Sequence, residues 1–383
     1  MNFFHARSGT GIVFACAGLL TLLGHPTLAH ESHLHLQDEQ GGSTTDGESR
    51  SPENESQRTV VTLPLSGPVA EAFQPFAPEV TARVSGPHLI VESNAMPRHG
   101  MMTGIRAWQQ QVPLPQPFSG DNAWRLPLNP RPADEPISVL EEPLRGAIAL
   151  AVNGVPIFCA LNNRAEDTFL AGELDQWGGH CGRGDDYHYH IAPIHLEEQV
   201  GVGNPIAYAL DGYPILGLSE ADGEIPEGLD PFNGHTHDGN YHYHATKTFP
   251  YINGGLHGVV QMQGDQIEQP RDSPTRPGQP PLRGARITGF ERDGTEFDLT
   301  YEISGKEAHV RYRILGDDRV EFTYSSPDGS ASTQTYQRRQ PGERGPGMSQ
   351  FWIAGIAAFV AVIALLIAIR KFFRRSSSPI API

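Results

Sequence analysis

LDQWGGHCGRGDDYHYH (residues 174–190) and LDPFNGHTHDGNYHYH (residues 229–244) are two versions of one pattern. Each runs from Leu-Asp through Gly-His (Gly179-His180 and Gly234-His235) to Tyr-His-Tyr-His (Tyr187–His190 and Tyr241–His244). Upstream, Ala151-Val-Asn-Gly-Val-Pro-Ile157 recurs as Ala209-Leu-Asp-Gly-Tyr-Pro-Ile215. The offset is 58 residues at Ala151/Ala209 and 54 at Tyr187/Tyr241, so small loop changes absorb the difference. Three blocks in the same order identify residues 151–195 and 209–257 as copies of one unit.

Side chains alternate between the two faces of a strand. His188 and His190 therefore share one face and Tyr187 and Tyr189 the other; the second copy repeats this with His242 and His244 against Tyr241 and Tyr243. One face is aromatic and suits a core. The other presents imidazoles, the commonest metal ligands near neutral pH. His180 and His235 offer a third ligand per copy. Asp175 and Asp230 stand five residues earlier, where they would ligate, or accept a ring N–H and fix a tautomer. If the two copies pack about a pseudo-twofold axis, their imidazole faces would meet around one metal. A hydrogen-bonded histidine cluster with no metal is the plainer alternative.

Composition narrows the class. The chain has 383 residues, 42 Gly and 33 Pro, which favours short strands and many turns over long helices. A formal charge of −16 argues against nucleic acid as a partner. Nine of the 17 histidines fall between His180 and His257, a local excess that asks for a local cause.

The ends read as targeting segments. Residues 1–29, with Arg7, an apolar run from Gly11 to Leu23 and small residues up to Ala29, predict a signal peptide. Residues 30–59 are His-, Ser- and Glu-rich and read as a disordered linker. Residues 351–369 are uncharged and almost wholly apolar, long enough to cross a hydrocarbon core of about 30 Å. Arg370, Lys371, Arg374 and Arg375 follow in a 370–383 tail, so the positive-inside rule places the C-terminus in the cytoplasm and the bulk of the chain outside. Once Cys16 leaves with the signal peptide, Cys159 and Cys181 remain, and an even pair in an oxidising compartment predicts a disulfide.

Between the ends, residues 60–145 carry short apolar runs broken by prolines, and 146–160 read as strand, tight turn, strand. Residues 264–284 are Pro- and Arg-rich and read as a linker. In 285–340, Phe297, Leu299, Tyr301 and Ile303 alternate, as do Val310, Tyr312 and Ile314, then Val320, Phe322 and Tyr324. Turn residues at 304–306, 316–318 and 327–329 separate them, predicting an antiparallel meander with one apolar face.

The paired GH…YHYH blocks, the NGVPI and DGYPI turns and HATKTFPYINGGLHG (residues 244–258) resemble the YHYH domain of secreted bacterial proteins. The resemblance is strongest over residues 146–260 and extends to Met96-Pro97-Arg98-His99, which looks like that family's Pro-x-His segment and makes His99 a candidate support for the ligands. It implies an extracytoplasmic domain with a suspected metal, and it supplies no reaction. Family members carry Cys two residues after each Leu-Asp aspartate; here Trp177 and Phe232 stand there, which leaves histidine as the dominant ligand type.

The sequence thus predicts a mainly β chain: a 60–263 domain of two pseudo-symmetric β units, a small antiparallel sheet over 285–340, and one C-terminal transmembrane helix. The predicted function is an extracytoplasmic, membrane-anchored protein binding copper or zinc through His180, His188, His190, His235, His242 and His244. Alternatives are a metal-dependent enzyme of unknown reaction, with Glu173, Asp175 and Asp230 as available carboxylates, and a metal-free envelope interaction or scaffold protein.

Overall fold

The computed structural model describes residues 69–141, 144–272 and 274–338. The expected signal peptide, the 30–59 linker, the membrane span at 351–369 and the 370–383 tail lie outside the described residues. Among those described, no helix is long and apolar enough to cross a membrane.

Strands β1 (Thr81–Ser85), β2 (His88–Glu92) and β3 (Trp124–Pro127) form an antiparallel sheet, followed by β4 (Pro132–Ser138). The first repeat supplies β5 (Ala147–Ala151), β6 (Pro156–Phe158), β7 (Gly179–Cys181) and β8 (Tyr187–Tyr189). β5 and β6 are a hairpin, β8 lies parallel to β6, and β7 pairs antiparallel with β8. The second repeat, β9 (Ala207–Ala209), β10 (Pro214–Leu216), β11 (Gly234–His237) and β12 (Asn240–His244), repeats the pattern strand for strand.

The copies join through antiparallel β5 and β9, where Ala149 faces Ala209 and Ala151 faces Ala207. The result is one eight-stranded sheet of order β11-β12-β10-β9-β5-β6-β8-β7. Its central strands are buried along their whole length, as a sheet covered on both faces requires. The expected strand–turn–strand at 146–160 is β5–β6, turning at Gly154 with φ +76°. Beyond that φ, a Cβ at Gly154 would collide with Ser93 and Val80 of the neighbouring sheet.

This order overturns the single shared centre. β8 and β12 sit second from opposite edges, five strand spacings apart, or about 24 Å at ~4.8 Å per spacing. The pseudo-twofold seam brings small alanines together and leaves each Tyr-His-Tyr-His strand in its own half.

The predicted disulfide is also corrected: Cys159 and Cys181 are free, buried thiols. Cys159 follows β6 and Cys181 ends β7, with β8 running between them. Two strand spacings, about 9–10 Å, exceed the roughly 4.4–6.8 Å Cα separation that a disulfide tolerates.

After β13 (Gly255–Gly258), which pairs with β4, and the short hairpin of β14 (Met262–Gln263) and β15 (Gln266–Ile267), the chain reaches the meander. Strands β16 (Ala285–Asp293), β17 (Glu296–Ile303), β18 (Lys306–Ile314), β19 (Arg319–Ser325) and β20 (Ala331–Gln337) pair in sequence order. Phe297, Leu299, Val310, Tyr312, Val320 and Phe322 line its buried face, as the alternation predicts.

That face packs on the repeat domain. Gly104 N donates to Ile287 O (2.9 Å) and Ile287 N to Ile105 O (3.0 Å). The 264–284 segment is accordingly more than a linker. Arg276, 4% exposed, forks onto both carboxylate oxygens of Asp185 at 2.8 Å and lies 4.7 Å over the Phe322 ring. Asp185 belongs to the β7–β8 turn and also accepts from Val112 N (3.0 Å), so one buried ion pair ties the meander to the edge of the first repeat. Removing one partner strands the other charge, at a cost of about 3–5 kcal/mol. Arg276→Ala is expected to lower the unfolding free energy by that amount, read as a lower urea midpoint at unchanged m, and Arg276→Met with Asp185→Asn to recover most of it. An unchanged midpoint for Arg276→Ala would show that the pair does not hold the meander.

Candidate metal centres

In each repeat the register of one antiparallel pair assembles the site. On β7 and β8, His180 sits opposite His188 and Gly179 opposite Tyr189. On β11 and β12, His235 sits opposite His242 and Gly234 opposite Tyr243. His190 and His244 extend the strand by two residues on the same face. The tight turns before β7 and β11 place Gly178 (φ +83°) and Asn233 (φ +60°) in the left-handed region that Gly and Asn tolerate.

The tyrosines anchor this register from the other face. Tyr187 Oη donates to Asp175 Oδ2 (2.9 Å), and Tyr241 Oη to Asp230 Oδ2 (2.7 Å). Asn153 Nδ2 donates to Tyr189 Oη (2.9 Å), while Tyr243 Oη donates to Asp211 Oδ2 (2.6 Å). Asp175 and Asp230 also cap their own turns through the N–H groups of Trp177 and Gly179, and of Phe232 and Gly234. The two aspartates therefore hold phenols and turns and touch none of the clustered imidazoles. Burial is the main reason Asp175 rises to about 6.

His99 lies with that aromatic face too. Its ring stacks on Trp177 at 4.7 Å between centroids, meets His195 at 5.0 Å, and places Nε2 2.6 Å from Tyr189 Oη. Trp177, standing where the resembling family has Cys, is thus a stacking partner. His99 supports the strand and not the ligands.

The first-repeat cluster is His180, His188 and His190, with one ring nitrogen of each within 4.8 Å of the others. His190 Nδ1–H donates to Cys159 O (2.6 Å) and His180 Nδ1–H to Glu173 O (3.1 Å), assigning the proton to Nδ1 by its partner. Their Nε2 lone pairs then face each other 3.1 Å apart. Two lone pairs at that distance repel unless a cation lies between them. Ligand nitrogens of tetrahedral zinc, each about 2.0–2.1 Å from the metal, stand roughly 3.3 Å apart. A backbone carbonyl on the second ring nitrogen is the usual outer support of a metal-bound histidine. His188 completes the set, its Nδ1 held by Asp186 O (3.1 Å) and its ring stacked on Phe158 at 3.9 Å.

The second-repeat cluster has the same three histidines and a carboxylate. His244 Nδ1–H donates to Gly217 O (3.1 Å) and His235 Nδ1–H to Glu227 O (2.9 Å). His242 Nε2 lies 3.2 Å from His235 Nε2 and 3.0 Å from His244 Nε2. Glu220 Oε1 stands 2.8, 3.1 and 3.4 Å from the Nε2 atoms of His235, His244 and His242. His237 Nδ1 reaches Glu220 Oε2 at 3.2 Å. Sequence reading missed Glu220; the 58-residue offset that matches Asn162 to Glu220 was the available signal.

Electrostatics agree with a cation-binding role. Burial pulls His180 down to about 3 and depresses His190, His242 and His244, so these rings are neutral at pH 7, the form a metal ligand needs. Burial alone would raise Glu220, but the His237 hydrogen bond and the neighbouring His244 and His242 bring it to about 2. Glu220 is 5% exposed and has His237 as one positive partner, since their contact raises the His237 pKa; a bound cation would be another. Burial pushes the Cys159 and Cys181 thiols up, away from the thiolate a metal ligand requires.

Each half of the duplicated sheet brings together side chains that could hold a metal ion: His180, His188 and His190 in one, and Glu220, His235, His237 and His242, with His244 beside them, in the other. Residues 123–226 match the model of the family described as YHYH protein, which bears out the resemblance over that stretch. The match contains His180, His188, His190 and Glu220; the second Tyr-His-Tyr-His lies beyond it. No curated protein and no solved structure matches the chain.

The neutral histidines set the pH response of the metal-free chain. Their folded pKa values lie below the unfolded value of about 6.5, so below that pH the unfolded chain binds protons that the folded chain refuses. Stability should fall as pH drops below about 6.5, down toward about 3 for His180 and in the same direction for His190, His242 and His244. Thermal unfolding of the chelator-treated chain at pH 7, 6 and 5 checks this, and His180→Asn with His190→Asn should flatten the slope. A pH-independent Tm would contradict buried neutral imidazoles.

Proposed function

We propose that the chain is an exported, membrane-anchored protein that binds two transition-metal ions, copper or zinc, one in each repeat. The observation that carries this reading is the pair of Nε2 lone pairs of His180 and His190, 3.1 Å apart with both Nδ1 atoms committed to carbonyls. Such an arrangement makes chemical sense around a cation. Export and anchoring rest on the apolar runs at 11–23 and 351–369 and the basic tail that follows.

The two centres differ in kind. Glu220, His235 and His242, with His237 or His244 as the fourth, form a four-ligand set suited to a structural ion whose binding contributes roughly 10 kcal/mol or more to folding. The first-repeat cluster has three histidines and no carboxylate, and it opens onto a cleft. A three-histidine centre with a free position is also what a hydrolytic metal needs, and Glu173 lines the same cleft, so a metal-dependent enzyme is the second reading.

Elemental analysis of the full chain, purified in detergent after export, is expected to find two ions per chain. His188→Ala with His190→Ala should leave one, and His242→Ala with His244→Ala should leave one at a larger loss of Tm. Metal content unchanged when all four are replaced would sink the assignment and favour a scaffold role. Deleting residues 351–383 is expected to move the chain from the membrane fraction to the soluble exported fraction; retention in the membrane would remove the anchor from the proposal.

A further inference from the structure

We infer that the first-repeat centre takes an oxyanion from outside, a small carboxylate- or phosphate-bearing molecule, seated by the arginines of the cleft in front of His180, His188 and His190. The metal contact in this inference rests on the function proposed above; the arginine cleft stands independently of it.

The three histidines lie on the wall of a cleft of about 930 Å³. Arg106, Arg145, Arg164, Arg183 and Arg283 line it, with Glu173 as the lone carboxylate among the lining residues. In a chain with 28 basic and 44 acidic residues, five arginines around one opening is a marked local reversal of charge. Arg164 is engaged by Glu166 and Glu173, and Arg145 reaches Asp265 at 3.4 Å. Arg106, Arg183 and Arg283 are exposed and form no ion pair among the described residues. Guanidinium forks suit carboxylate and phosphate oxygens, which they bind bidentately.

The second repeat shows what such an anion would do. There, Glu220 places one carboxylate oxygen within 2.8–3.4 Å of all three Nε2 atoms. The same histidine geometry thus accepts a carboxylate directly. In the first repeat the equivalent residue is Asn162, whose side chain is turned to Glu166 (3.2 Å) and Glu173 (3.2 Å). Two residues on, the second repeat has Asp222 where the first has Arg164. The turn between the paired strands carries Asp238 in the second repeat and Arg183 in the first. One copy supplies its own anion and surrounds it with acids. The other omits that carboxylate, keeps Asp186 on the far ring nitrogen of His188, and carries Arg183 and Arg283, unpaired among the described residues, on the cleft in front.

The test is titration calorimetry on the zinc-loaded full chain with oxalate, inorganic phosphate and, as a neutral control, glycerol. Oxalate or phosphate is expected to saturate at one site per chain, and whichever binds tighter names the source; glycerol should give no heat. Arg183→Ala with Arg283→Ala should weaken anion binding at least tenfold while zinc content stays at two. Asn162→Glu, which supplies the missing carboxylate, should abolish it. Two bound zinc ions with no anion binding, or equal affinity in the arginine variant, would overturn the inference and leave the metal reading intact. Undiminished anion affinity in the zinc-free chain would overturn the metal contact. Zinc absent from the first repeat would instead sink the function proposed above.

Discussion

The structure depends on one strand pairing, made twice. A Gly-His strand lies against a Tyr-His-Tyr-His strand so that His180 faces His188 and His235 faces His242. A slip of one residue would move every imidazole to the aromatic face. The phenols prevent that slip. Tyr187 and Tyr241 reach the turn aspartates Asp175 and Asp230, while Tyr189 and Tyr243 reach Asn153 and Asp211 in the hairpin turns. Glycine at 179 and 234 is then obligatory, because a Cβ at either would collide with the phenol of Tyr187 or Tyr241. Leu-Asp, Gly-His, the hairpin turn and Tyr-His-Tyr-His are parts of one hydrogen-bonded device whose product is a fixed set of imidazoles on the opposite face.

Duplication gave that device room to diverge. Because the copies join through β5 and β9, each cluster lies in its own half and can change without disturbing the other. Replacing Asn162 by its counterpart Glu220 converts an open set of three nitrogens into a closed set with a carboxylate. The neighbouring charges follow, arginine at 164 and 183 against aspartate at 222 and 238. A closed centre suits stability, and an open one suits exchange or chemistry.

The meander contributes to the open centre indirectly. Arg276 grips Asp185 in the turn between β7 and β8, and the chain that continues from it brings Arg283 to the rim of the cleft. A buried pair of this kind is weak evidence for net stability, since desolvation opposes the attraction. Its use is positional: it sets where the edge of the first repeat lies against the five-stranded sheet.

Much of this was legible in the residues alone. Period-two alternation and turn chemistry determined the β class, the meander and the two faces of each Tyr-His-Tyr-His strand, because these are local properties of an extended chain. Self-similarity determined the repeat, and six of the clustering histidines followed from it. Tertiary structure decided the rest. Whether two imidazole faces meet depends on which strands form the seam, a long-range choice made by alanine packing at Ala149 and Ala209 and invisible in either copy. Cys159 and Cys181 are 22 residues apart in sequence, yet a strand runs between them. Asp175, Asp230 and His99 carry ligand-like chemistry, but strand geometry turned them to the phenol side. Glu220 and the arginine cleft arise from loops whose sequence has no periodicity; the repeat offset pairs Glu220 with Asn162, but the folded chain decides that one histidine cluster meets its own carboxylate and the other lies on the wall of a cleft lined by five arginines.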